Sequence, residues 1–331
     1  MATLPRRIIP GSTFYVTVRA VNRSYRFVPK RWVREVIDYC LAEVSQKYRR
    51  AGRIKLYEFM FMSNHYHLLG KDLDGCICEF VRELNVLISR ELNSVRDSQD
   101  SNFSRKQFGL LEVSGEGRIF EHAVYTLNNP VAAFLTARSQ HWKGTSSLKL
   151  EYGVPRIVKK PRIGMWSGKA KHAEREASQR SGRAKYAYRS VLPETAELVI
   201  DRPPILMHLS DTQLRRHIRK QLAEREADVA EQRRRAGIRV IGPRACQRVH
   251  YLAVPRNKEE LFARNPTFSA DRQRERQRLG RIHAAFVKAY RAARDLYYSL
   301  PPDRRHKIEF PEGTYKLRIR DGVTCVPLGV T

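Results

Sequence analysis

The chain has 331 residues, of which 63 are Lys or Arg and 34 are Asp or Glu, giving a formal net charge of +29. With 42% hydrophobic residues it can bury a core, which excludes wholesale disorder, and no apolar run approaches the roughly 18 residues needed to span a bilayer. The excess is uneven: 20 basic and 14 acidic residues precede Ala132–Leu135, against 43 and 20 beyond it, so most of the charge that attracts a polyanion, nucleic acid above all, lies in the second part.

At the amino end, Met1 to Arg7 lack the apolar core of a signal peptide. Residues 14–22 alternate in polarity and are rich in β-branched and aromatic types, which predicts a strand. From Lys30 to Arg50 the apolar positions Val33, Val36, Ile37, Cys40, Leu41, Val44 and Tyr48 recur at three and four, one face of an amphipathic helix, and Gly52 stands where a helix-ending glycine belongs. Strands follow at residues 54–62 and 65–70, with Ser63-Asn64 between them. A second helix runs through Ile77, Phe80, Val81, Leu84, Leu87, Ile88 and Leu92. This order predicts an α+β, ferredoxin-like sandwich, an antiparallel sheet with helices on one face. Residues 97–118 are polar and read as an exposed loop with a short apolar insert. Helical character returns from Phe120 to Leu135, interrupted at Asn128-Asn129-Pro130.

Farther on, residues 159–189 read as a basic linker or an arm that orders on nucleic acid. A charged helix is predicted over 211–236, with Leu214, Ile218, Leu222 and Val229 as its apolar stripe. A second is predicted over 271–299, with Leu279, Ile282, Phe286, Tyr290 and Leu296 inward and its basic residues mostly outward. Residues 310–326 look like a terminal hairpin. The chain thus divides into a domain over 8–145 and a mainly helical, basic extension over 146–331. Its five cysteines, Cys40, Cys76, Cys78, Cys246 and Cys325, are sparse and odd in number, as in a cytoplasmic protein with reduced thiols. Cys76 and Cys78 are too close for the usual zinc spacing and have no second pair.

Two stretches carry chemistry. In Ser63-Asn64-His65-Tyr66-His67-Leu68, alternation sends His65 and His67 to one face of a strand and Tyr66 to the other. Two such imidazoles can chelate one divalent ion or simply be satisfied by hydrogen bonds, and imidazole alone favours zinc or manganese over magnesium. In Tyr125-Thr126-Leu127-Asn128-Asn129-Pro130, Tyr125 and Asn129 share a helix face, unless Pro130 ends the helix and Asn129 caps a new one. Composition does not single out Tyr125, one of fifteen tyrosines, and taken alone it suits a buried core position better than a nucleophile. In the basic part, Arg215, Arg216 and Arg219 on one helix and Arg274, Arg276 and Arg278 on the other, with Arg6 and Arg7 at the amino end, are candidate phosphate contacts. Tyr186, Tyr188, Tyr297 and Tyr298 are candidates for stacking on unpaired bases, though the helical spacing of Tyr297 and Tyr298 suits core packing better.

Taken together, Ser63 to Leu68 and, sixty residues after His65, Tyr125 to Ala133 resemble the HUH-type single-strand DNA transposases, most closely the REP-associated tyrosine transposase branch. Arg6-Arg7-Ile8-Ile9-Pro10-Gly11 and Trp142-Lys143-Gly144 fit the same pattern, and Arg264-Asn265-Pro266-Thr267 and Phe310 to Tyr315 are similar to the tails of long bacterial members. The resemblance implies a catalytic domain over 8–145 in which His65 and His67 hold Mg²⁺ or Mn²⁺ with Asn129 as a further ligand. It makes Tyr125 the nucleophile of a DNA endonuclease and strand transferase that works through a 5′-phosphotyrosine. It further implies single-stranded or hairpin DNA as substrate, a monomer or homodimer, and a place near the bacterial nucleoid. A non-catalytic, domesticated hairpin-binding protein is the alternative. On this reading, deletion beyond about residue 150 weakens DNA binding before it reaches the chemistry at Tyr125.

Overall fold

The structure is a computed structural model that describes residues 5–163, 192–255 and 266–328. In chain order come β1 (Ser12–Arg19), α1 (Arg31–Arg50), β2 (Ile54–Phe61), β3 (His65–Asp72), α2 (Ile77–Arg96), β4 (Gly109–Ser114) and α3 (Glu116–Ala132). Then follow β5 (Arg156–Lys159), β6 (Thr195–Leu198), α4 (Asp211–Arg235), α5 (Pro243–Arg248), β7 (Phe268–Ala270), α6 (Gln273–Ser299), β8 (Phe310–Pro311), α7 (Lys316–Asp321) and β9 (Cys325–Val326). None of the described helices is long and apolar enough to cross a membrane.

Five strands form one sheet in the order β2-β3-β1-β4-β7. All neighbours are antiparallel except β4 and β7, which run parallel. Pairing opposes Thr17 to His67, Arg19 to His65 and Met60 to His67. The mixed α/β character agrees with the sequence, but the placement of helices does not. Tyr66 points to one face, where its hydroxyl donates to Asn85 Oδ1 on α2 at 2.7 Å, and α1 packs beside α2 with Tyr48 edge-on to Phe80 at 5.2 Å. His65 and His67 point to the other face, where α3 lies, the rings of His67 and Tyr125 being 5.9 Å apart. Helices therefore cover both faces, not one. The physical reason is visible in β2 and β3, which are buried on both sides through Phe59, Met60, Phe61, Tyr66, Leu68 and Leu69, and a strand apolar on both sides needs cover on both.

Three further expectations are corrected. The apolar insert within residues 97–118 is β4, an interior strand held by β1 on one side and β7 on the other. Helix α3 is continuous through Pro130, so Asn129 caps no new helix. Pro130 lacks the N–H that would bond Thr126 O, but only two helical residues follow it, and the helix closes with Ala133 N–H donating to Asn129 O at 3.0 Å. The carboxyl-terminal segment is no hairpin: β8 and β9 pair parallel, with α7 between them.

The core runs on past residue 145. One contiguous cluster extends from Ile8 through Val16, Leu68 and Leu127 to Ala196, Ile205, Leu214, Ile218 and Leu222. Residues from 145 onward also close the outer edge of β2, where Phe61 N–H donates to Thr145 O at 2.9 Å, Ser147 N–H to Phe59 O at 3.0 Å and Asp201 N–H to Leu56 O at 2.6 Å. Helices α4 and α6 stand where the periodicity places them, but Leu296 is exposed and Tyr297 takes the inward position. The Tyr297 ring meets Phe310 at 5.7 Å and its hydroxyl reaches Asp321 at 3.1 Å, an arrangement an aliphatic side chain cannot offer. Most of the basic stretch 159–189, with Tyr186 and Tyr188, and also Arg264 and Asn265, lies outside the described residues.

Candidate active site

The histidine face of the sheet and the inner side of α3 form the site. His67 is buried, and its Nδ1 lies 2.8 Å from the Tyr15 hydroxyl and 3.0 Å from Thr17 Oγ1. His65 is half-buried, and its Nδ1 lies 2.7 Å from Asn64 Oδ1. The Asn64 oxygen can only accept, so His65 carries its proton on Nδ1, and Asn64 is held in that sense by its own amide donating to Arg23 O at 3.4 Å. With Nδ1 engaged in both rings, Nε2 is the remaining nitrogen, and in His65 it is the one left to Asn129. The rings are 4.9 Å apart between centroids and nearly perpendicular.

From the other side, α3 presents Tyr125, Asn129 and His122. The Asn129 amide hydrogen-bonds the His65 ring. Tyr125 is 46% exposed, which separates it from Tyr15, Tyr39, Tyr57 and Tyr66 in the core, and its ring stands edge-on to His67. His122, one turn before Tyr125, stacks on Tyr15 at 4.5 Å, while Tyr15 also stacks on His67 at 5.3 Å. A column of His67, Tyr15 and His122 thus links the central strands to the helix, and Tyr15 extends it by a hydrogen bond with Thr126. Tyr15, Thr17 and His122, which line the candidate site, lie outside both motifs, and Asn64 lies within the first with no role assigned to it there. The strand alternation of Tyr15 with Thr17 and the three-residue spacing from His122 to Tyr125 were the available signals.

Burial governs the electrostatics. It pulls His65 down to about 4, against the opposing hydrogen bond to Asn129, which raises it. His67 falls well below the ordinary histidine range, again first through burial and then through the neighbouring His65. His122 is lowered to about 4 by burial. All three rings are neutral at pH 7, the form in which imidazole offers a lone pair. Burial raises the Tyr15 hydroxyl well above the ordinary phenol value, so it stays protonated.

Among the described residues no group of three or more His, Cys, Asp and Glu side chains is arranged to hold a metal. The candidate donors are instead two neutral imidazoles and the Asn129 carboxamide; on the preceding residue of α3, Asn128 Oδ1 is buried with no partner among the described residues. Neutral rings fixed through Nδ1 by hydroxyl and amide groups are the arrangement that metal-binding histidines use, so these residues fit a divalent cation.

The candidate DNA contacts fare unevenly. Arg215 is corrected outright. It is 1% exposed, ion-paired with Glu58, and its guanidinium also donates to Leu150 O at 2.9 Å and Ser147 O at 2.5 Å. No phosphate can reach it. Arg7 is engaged with Glu112 at 3.1 Å, and the Arg6 guanidinium lies 3.8 Å above the Phe108 ring. Arg219 pairs with Glu151 at 2.6 Å and Arg278 with Glu275 at 2.7 Å, both on the surface. Arg276 donates to Ala270 O at 3.4 Å, and Arg216, Arg274 and Arg276 are all exposed. Tyr297 is buried and Tyr298 half-exposed.

No family model matches the chain, and no curated protein matches it. Among solved structures, a REP-associated tyrosine transposase bound to a REP hairpin is similar at 16% identity and a TM-score of 0.36, over 44% of this chain and 82% of that one. A likeness at that level fixes neither fold nor activity.

Proposed function

We propose that this protein is a metal-dependent DNA endonuclease and strand transferase of the tyrosine transposase type, acting on single-stranded or hairpin DNA. The observation that carries the reading is the convergence of four side chains from distant parts of the sequence: His65 and His67 on β3, and Tyr125 and Asn129 on α3. The strand order β2-β3-β1-β4 supports a ferredoxin-like reading of the sheet, and the formal charge of +29 supports a polyanionic substrate.

His65, His67 and Asn129 would hold Mg²⁺ or Mn²⁺, which when bound withdraws charge from a non-bridging oxygen of the scissile phosphate. The chain's own residues do the rest. Asn64, Tyr15 and Thr17 orient the two imidazoles through Nδ1. Tyr125, half-exposed beside His67, presents its hydroxyl to the strand. Its oxygen bonds to phosphorus as the phenol proton leaves to solvent, the P–O3′ bond breaks, and O3′ takes a proton from solvent to depart as a 3′-hydroxyl. The resulting 5′-phosphotyrosine keeps the bond energy. A phenolate leaves more readily than an aliphatic alkoxide, so a 3′-hydroxyl can later rejoin DNA in the reverse step.

Incubation with a hairpin oligonucleotide and Mn²⁺ is expected to give a protein–DNA adduct stable on denaturing gels, and Tyr125→Phe is expected to abolish it. An adduct that persists in Tyr125→Phe would remove the tyrosine from the reaction. Tight hairpin binding with no adduct from the folded wild type would favour the non-catalytic hairpin-binding alternative.

A further inference from the structure

The helix that carries Tyr125 has no cap of its own. Its N-cap residue is Gly115, at φ +94°, with no side-chain bond to the first turn. The missing acceptor comes from far along the chain: Asp271 Oδ2 accepts the Gly117 N–H at 2.9 Å across 154 residues. A carboxylate at a helix amino terminus satisfies an orphan donor and faces the positive end of the helix dipole.

The fit is specific to glycine at two positions. A Cβ on Gly115 would fall 2.1 Å from Asp271 Oδ2, and one on Gly117 would fall 2.9 Å from Asp271 Oδ1. The passage from β4 into the first turn of α3, Ser114-Gly115-Glu116-Gly117, is therefore a socket shaped around this one carboxylate. Neighbouring contacts hold Asp271 in register. β7 pairs with β4 up to Ala270 opposite Ser114, Asp271 N–H donates to Ser114 O at 3.3 Å, Arg118 Nε donates to Ala270 O at 3.3 Å, and Ser114 Oγ donates to Glu275 at 3.1 Å. At the far end of α3 the chain after residue 200 closes again, with Ile241 N–H on Phe134 O at 3.0 Å and Gly242 N–H on Leu135 O at 2.9 Å.

We propose that Asp271 is a positioning residue for Tyr125: by locking the first turn of α3 against β4 it fixes where the Tyr125 hydroxyl lies relative to His65 and His67. The inference rests on the catalytic reading above. Tyr125 lies eight residues beyond Gly117, roughly 12 Å along the helix axis, so a small pivot at the socket is carried to the hydroxyl. Displacement of a reacting group by about 1 Å can cost on the order of a hundredfold in rate.

The test uses the full-length protein with Asp271→Ala, Asp271→Asn and Asp271→Glu. Single-turnover adduct formation on a hairpin oligonucleotide with Mn²⁺ gives the maximal rate and the half-saturating DNA concentration separately. Hydrogen exchange reports the amides of residues 117–120. Asp271→Ala is expected to lower the maximal rate by about ten- to a hundredfold with half-saturation unchanged within about twofold, and to speed exchange in the first turn. Asp271→Asn, which keeps an acceptor, restores most of both, whereas Asp271→Glu, too long for the socket, does not. A wild-type rate and wild-type exchange in Asp271→Ala overturn the proposal. So does an equal loss in Asp271→Asn, or a loss confined to DNA affinity, since that marks a phosphate-facing or generally destabilising role. If the wild type itself forms no adduct, the catalytic reading fails on its own terms. Exchange then decides the lock by itself: faster first-turn exchange in Asp271→Ala with rescue by Asp271→Asn upholds it, and unchanged exchange overturns it.

Discussion

Glu58 and Arg215 illustrate how a residue's chemistry is decided by its surroundings. On a basic helix, Arg215 has the same composition signal as its neighbour Arg216, yet one is enclosed and the other exposed. Glu58 sits at the bulge in the β2–β3 register, fully buried, and also accepts from Tyr152 at 2.7 Å and Ser147 at 2.5 Å. Removing one partner leaves the other charge uncompensated. Arg215→Ala is therefore expected to cost about 3–5 kcal/mol of stability, read as a lowered denaturant midpoint, where a cost below about 1 kcal/mol would show the pair to be dispensable. The histidines make a second prediction at this scale. His65 and His122 are pulled to about 4 and His67 is held well below the ordinary histidine range, while in the unfolded chain histidine titrates near 6.5. Between those values the unfolded state binds more protons, so stability rises with pH there. The melting temperature without added metal is expected to hold above about pH 6.5 and to fall as pH drops toward 4. His65→Gln should shrink that fall, and an identical profile in this variant would remove His65 as a contributor.

Among the elements, β3 and α3 do most to build the site, and both depend on close approach of backbone. Gly70, the last residue of the His65 to Gly70 stretch, faces the β2 backbone so tightly that a Cβ would lie 2.3 Å from Lys55 O and 2.7 Å from the Phe14 ring. Gly70→Ala is expected to destabilise by about 1–3 kcal/mol, as overpacking does, which chemical denaturation would measure; a wild-type midpoint would show that β2 can yield. Where local pattern suffices, the sequence is readable. The three-and-four spacing marks α1, α2, α4 and α6, and two-residue alternation sets His65 and His67 on one face. It fails where pairing partners are remote. β4 is an apolar insert between polar flanks, so its interior place depends on β1 and on a three-residue parallel partner, β7, whose own pattern is too short to register. Pro130 misleads because its penalty depends on how far the helix extends beyond it, which local rules do not state. The Asp271 cap and the Arg215 pair are pure tertiary contacts between residues more than 150 positions apart, and no periodicity announces them.

Across the whole molecule, the uneven charge and the division of labour turn out to be different things. The boundary near residue 145 separates a less basic from a more basic stretch, but the hydrophobic core crosses it. The later chain supplies Ala196, Leu198, Ile200 and Ile205 to the core and closes the edge of β2 at Leu56. It lays Leu214 and Ile218 of α4 into the same cluster and sends Arg215 to neutralise Glu58. Truncation after Leu150 would uncover those apolar surfaces, strand a buried carboxylate and free both ends of the Tyr125 helix at once. Fragment 1–150 is accordingly expected to lose cooperative unfolding and adduct formation together, rather than to lose DNA affinity while keeping its chemistry. Urea titration followed by tryptophan fluorescence, with Trp32 and Trp142 both inside the fragment, distinguishes the two outcomes. A single sharp transition with an active Tyr125 would make residues 8–145 an autonomous domain after all. A broad, non-cooperative change would mean that the basic region is first a structural half of the candidate site, and that whatever phosphate contacts its exposed arginines make are built on a scaffold that His65, His67, Tyr125 and Asn129 already require.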